Sequence, residues 1–102
     1  MRATINGFKY DTNSARLIGT FDNYGKGAQS RHDQHHWQAG LYVTPIAHRY
    51  FLAGEGGAMT RFCPVGKTRG SRIIPLDAAD AYEWAQCYLH HKIVAKFWPE
   101  KG

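Results

Sequence analysis

The sequence predicts an α+β fold: one domain in which a twisted antiparallel sheet of about five to six strands carries a single C-terminal helix packed across it. Three observations carry this expectation. Asn6-Gly7 separates two short strand-like runs and supplies the positive φ angles of a two-residue type I′ hairpin turn. Further runs of aromatic and β-branched residues recur from Arg16 to Leu76, each bounded by glycine, proline or short polar residues. Ala81, Trp84, Ala85, Tyr88 and Leu89 then lie at helical spacing on one stripe.

Taken in order, Ala3-Thr4-Ile5 and Phe8-Lys9-Tyr10 form the first hairpin, and Asp11-Thr12-Asn13-Ser14 turns the chain into a strand over Arg16 to Phe21. Residues 22 to 34 are polar and lack periodicity, as in an exposed loop. Trp37 to Thr44 and Tyr50 to Ala53 make a second hairpin around Pro45-Ile46-Ala47-His48. Gly54-Glu55-Gly56-Gly57 is expected to turn the chain sharply, and residues 61 to 72 to form a basic loop. Arg72 to Leu76 closes the sheet, with Pro75 marking an edge or a strand end. Asp77 caps the helix, Asp80 favours its positive end, and Pro99 stops it, leaving residues 95–102 as a flexible tail.

The chain has 102 residues, 43% of them hydrophobic, which suits one core and is far from a disordered composition. No apolar run approaches the roughly 20 residues of a membrane span, and no signal-peptide pattern opens the chain. A cytoplasmic protein without membrane contact is the expectation. Cys63 and Cys87 fit no C-x-x-C spacing and read as free thiols. Thirteen Lys and Arg against eight Asp and Glu give a formal charge of +5, which favours a nucleic acid, a ribonucleoprotein or an acidic protein surface as partner.

Reaction signatures are weak. Gly66-Lys67-Thr68 resembles the end of a phosphate-binding loop, but Arg61 stands where the pattern needs its first glycine. His32, His35, His36, Cys63, His90 and His91 have zinc-ligand chemistry without finger spacing, so no metal and no cofactor are expected. Cys63 with His48 or His36 could be drawn as a nucleophilic pair, and Glu55 as an acid that glycines leave approachable. Neither has a motif behind it, and no catalytic residue is assigned. Binding fits better. Aromatic residues exceed what one small core needs, and the candidate contacts are Lys26, Arg31, His35 and His36 in the first loop with Arg61, Lys67, Arg69 and Arg72 in the second.

Ile5-Asn6-Gly7, Tyr10-Asp11-Thr12, Leu41-Tyr42, Phe51-Leu52, Gly54-Glu55-Gly56-Gly57-Ala58-Met59, Ile73-Ile74-Pro75-Leu76 and Trp84-Ala85 together form a pattern. In that order the chain resembles a family of small uncharacterised bacterial proteins carried by phages, plasmids and other mobile elements, across residues 5 to 89. His90, His91 and Lys92 depart from the acidic helix end common there. By analogy with anti-CRISPR proteins, the resemblance implies an inhibitor that blocks a host defence ribonucleoprotein, such as a CRISPR-Cas effector, by stoichiometric binding. A nucleic-acid-binding accessory protein and a small nuclease or toxin are the alternatives.

Overall fold

A computed structural model describes residues 1–101 and shows the expected α+β class, with six antiparallel strands. β1 (Arg2–Ile5) and β2 (Phe8–Asp11) form a separate two-stranded sheet. β3 (Arg16–Asp22), β4 (Trp37–Val43), β5 (Tyr50–Gly57) and β6 (Arg69–Leu76) form a four-stranded sheet in sequential order. Asn6 and Gly7 have φ of 52° and 82°, the left-handed pair that the hairpin turn requires.

One face of the larger sheet receives the helices. Leu41, Leu52, Ala39 and Ile18 pack with Ala81, Trp84, Ala85, Phe62 and Trp98 in the main core. A bulge between Leu17 and Gly19 delivers Ile18 to that face. Trp37 is the aromatic hub, with ring centroids 5.0 Å from Tyr88 and 5.3 Å from Phe21. The β1–β2 hairpin covers part of the opposite face, where Tyr10 packs on Phe51 and Ile73 beside Tyr42 and Ala53.

α1 (Ala78–Tyr88) begins as expected, with the Asp77 carboxylate accepting from the Asp80 amide at 2.7 Å. It ends at Leu89, and the chain does not trail away from there. A second helix, α2 (His91–Phe97), is capped by His90, whose Nδ1 accepts from the Lys92 amide at 3.1 Å. A 3-10 turn spans Pro99–Lys101. The expected tail over residues 95–102 is therefore corrected up to residue 101: Trp98 is buried and stacks on Tyr50, so apolar burial fixes this segment. Gly102 lies outside the described residues.

The second correction concerns Gly54, Glu55, Gly56 and Gly57. They do not turn the chain; they are the second half of β5, paired on one side with β4 and on the other with β6. Their smallness serves a different purpose. A Cβ on Gly54 would lie 2.7 Å from the Ala39 Cβ and 2.8 Å from the Phe62 ring, and one on Gly57 would lie 2.7 Å from the Asp33 carbonyl oxygen. Two loops thus rest directly on the strand's backbone.

Gly54→Ala should therefore destabilise the fold by about 1–3 kcal/mol through overpacking against fixed neighbours. Urea unfolding of the variant beside the parent chain measures this directly, and an unchanged midpoint would contradict the close approach.

Candidate functional site

The two expected contact loops are brought together at one end of the sheet. The Gly57 amide donates to the His36 carbonyl and the Met59 amide to the Gln34 carbonyl, each at 2.9 Å. Arg69 then ties strand to loop, its Nη1 donating to the Arg31 carbonyl at 3.0 Å.

Locally, the first loop is organised by short polar side chains. Buried Asn23 donates from Nδ2 to the His35 carbonyl at 2.9 Å and accepts from the Trp37 amide at 2.8 Å. Asp33 accepts from the amides of His35 at 2.8 Å and Gln29 at 3.1 Å. Those two amides hold the Asp33 carboxyl below the usual carboxylate range, outweighing the small opposing effect of burial.

Beneath the loop lies a polar network. Asp22, Gln38, Glu55 and Ser71 are neighbours in register across the four strands and share the face that the hairpin leaves partly uncovered. His36 is 1% exposed, with Nε2 2.8 Å from Asp22 Oδ1 and Nδ1 3.1 Å from Arg69 Nη2. A guanidinium can only donate, so Nδ1 accepts and the ring proton resides on Nε2, directed at Asp22. Arg69 Nη2 also reaches Glu55 Oε1 at 3.4 Å, and Gln38 Nε2 donates to the same oxygen at 2.6 Å. Desolvation raises the Asp22 carboxyl, but the Tyr24 amide, the His36 ring and the Arg31 charge together hold it below its ordinary value.

His36 is consequently corrected from a surface contact to an internal strut: both ring nitrogens face partners and the ring is sealed from solvent. Arg69 and Arg72 lie in β6 rather than in a loop, and Arg69 is committed inward. Arg72 stays exposed, donating to the Arg61 carbonyl at 3.4 Å. Lys26, Arg31, His35, Arg61 and Lys67 are exposed, with Lys26 5.2 Å from the Phe21 ring and Arg31 4.6 Å from that of Tyr24. Met59 and Val65 add exposed apolar surface to the second loop.

Asp22, Asn23 and Gln38 were not among the expected site residues. Asp22-Asn23 at a strand end was a readable signal for side-chain bonding to nearby backbone, but the alignment of Asp22 with Gln38 and Glu55 depends on register. Asp22, Gln38 and Glu55, with Thr20, Gly40 and Ala53, line a groove of about 480 Å³ on the uncovered face.

The remaining chemical candidates are dispersed. The Cys63 thiol lies 3.3 Å from the Lys67 carbonyl and 3.4 Å from that of Pro64, closing its own loop. His48 belongs to the turn between β4 and β5, at the other end of the sheet, with φ of 51°. Both cysteines are free, and among the described residues no group of three or more His, Cys, Asp or Glu side chains is placed to hold a metal ion. No helix among them is long and apolar enough to cross a membrane. Compared with protein-family models, curated proteins and solved structures, the chain matches none.

Two outcomes follow from the network. His36→Phe keeps a ring but takes one hydrogen-bond partner from each of Asp22 and Arg69, so it should cost about 1–3 kcal/mol, with faster amide exchange at Gly57 and Met59. Asp22 and Asp33 bind protons less readily in the folded chain than in the unfolded one. Their contribution is complete above about pH 3.9 and is lost as pH falls through the depressed folded values. Urea midpoints should drop over that acid range, and less steeply for Asp22→Asn than for the parent chain.

Proposed function

We propose that the protein is a non-catalytic, stoichiometric binding protein of the anti-CRISPR type, which occupies a host defence ribonucleoprotein through its paired basic loops. One observation carries this reading: the two loops are locked into a single rigid end whose inward groups satisfy one another while its outward groups are cations and apolar side chains. Lys26, Arg31, Arg61, Lys67 and Arg72 face solvent there, with Met59 and Val65 among them. Such a mixture suits a partner surface that is anionic at its rim and apolar at its centre.

Rigidity matters for an inhibitor that works by occupancy, because loops whose backbone is already held in place lose less entropy on binding. The sign of the charge matters too. A cationic end is repelled by a cationic DNA-binding channel and attracted to exposed guide-RNA phosphates or to an acidic protein surface. Blocking therefore works by occluding or locking an RNA-bearing or acidic part of the complex. The acid-base candidates support a non-catalytic role, since His36 cannot exchange a proton with a substrate while its ring is sealed and both nitrogens are engaged.

Expression of the chain in a CRISPR-active host should raise the plating efficiency of a targeted phage, and the double variant Arg61→Glu, Lys67→Glu should lower that gain at least about tenfold, the loss expected when two rim charges are reversed. Unchanged immunity on expression of the parent chain would sink the proposal. Salt-sensitive mobility shifts of naked RNA or DNA without any effect on immunity would instead favour the nucleic-acid-binding alternative.

A further inference from the structure

The two edges of the four-stranded sheet are unlike. β3 is interrupted by its bulge and packs against α1 and α2, while α1 also packs against β6. β6 is eight residues long and pairs without irregularity along its whole length with β5, from Tyr50 opposite Leu76 to Gly57 opposite Arg69. Its other side is unpaired. Among the described residues no backbone group outside that ladder hydrogen-bonds to the main chain of β6, and Arg69, Ser71 and Arg72 are exposed.

Pro75 reveals which groups point outward. Proline has no N–H, and within a sheet it sits on an edge strand where that N–H would face away from the neighbour. Antiparallel pairing alternates, so Ile73, Ser71 and Arg69 turn their N–H and C=O groups in the same outward direction as Pro75. The edge therefore offers a row of donors and acceptors at the spacing of a strand.

We propose that the outer edge of β6 takes an extended, acidic segment of the partner protein as an added antiparallel strand. This rests on the reading of the protein as a stoichiometric binder, and it assigns the contact to the protein component of the complex. Main-chain pairing supplies a sequence-independent part of the affinity, and the side chains flanking the edge supply the choice of sequence. β6 carries Arg69 and Arg72 and no acid, with Arg61 and Lys67 adjacent. Arg69 is committed inward and Arg61 lines a groove that it shares with Asp80 and Glu83 of α1, which leaves Arg72 and Lys67 to meet carboxylates. The other half of the edge, Ile73 to Leu76, meets apolar residues. An antiparallel segment would thus be apolar first and acidic toward its C-terminal end.

A second copy of the chain is the poorer occupant. Pairing β6 antiparallel with itself along its length would set Arg69 and Arg72 of each copy against Leu76 and Ile73 of the other, so the arginines would gain no anionic partner. Edge arginines and a proline are the features by which natural sheets discourage such self-pairing.

The test is amide hydrogen exchange, followed by NMR on the intact chain during titration with a terminally blocked peptide Thr-Val-Thr-Val-Glu-Thr-Glu. Exchange at Ser71 and Ile73 should slow at least about tenfold, the protection that follows when most molecules hold the added strand, while Gly70 and Arg72, already in the ladder, change less. Added salt should weaken the effect. Ser71→Pro leaves the β5 ladder intact, because that N–H points outward, and should abolish the protection at Ile73. No slowing with about millimolar peptide, a range in which even weak binding registers, would overturn the proposal. So would shifts confined to the Lys67 loop, or slowing that grows with protein concentration in the absence of peptide and so assigns the edge to a second copy. The measurement needs no host component, so its failure leaves a positive immunity result standing, and a failed immunity assay leaves the peptide result standing.

Discussion

The second half of β5 has almost no side chains on the faces where loops cross it, and the basic end of the molecule is built on that absence. The 33–36 segment lies on Gly57 and the Phe62 ring lies on Gly54, at distances where a methyl group would already collide. Because the loops sit on the main chain itself, the Gly57 and Met59 amides reach the His36 and Gln34 carbonyls. Two loops far apart in sequence become one surface. A larger residue at either position would lift both loops and separate Arg31 from Arg69.

Contact alone would leave those loops free to slide, and the polar network beneath them removes that freedom. His36 is the centre, held by Asp22 on one nitrogen and Arg69 on the other, so a residue of the first loop joins the outer end of β3 to the beginning of β6. Arg69 extends the chain of bonds to Glu55, and Glu55 to Gln38. A network whose charged members are partly exposed gives orientation more than net stability, because solvent screens much of its Coulombic gain. For a surface meant to bind in one pose, orientation is the useful property. The same reasoning separates the charges of this end into inward ones that hold the scaffold and outward ones that can meet a partner.

Much of this was legible from residue order. Asn6-Gly7 and the Asp77 cap are local instructions whose partners lie within a few positions, and both appear as read. Of the stripe Ala81, Trp84, Ala85, Tyr88 and Leu89, the first three are buried against the sheet, while Tyr88 is exposed and Leu89 lies past the helix as its cap. Pro75 does stand on an edge strand. What misled was the glycine run of β5. Glycine permits a turn and equally permits close approach of another chain, and only the identity of what lies above it decides between them. His36 posed the same difficulty, since a histidine among polar residues looks exposed until two charged partners close over it.

By itself the sequence determined the class of the fold, the first four strands and the start of the first helix, the net positive charge and part of the loops that carry it. Those follow from propensity, periodicity and capping, which act over a few residues. The tertiary structure decided that the two loops form one end, that Asp22, Gln38 and Glu55 stand side by side, that Trp98 anchors a second helix, and that β6 is left with an open edge. Each of these depends on strand register and on packing between distant segments, which no local pattern encodes.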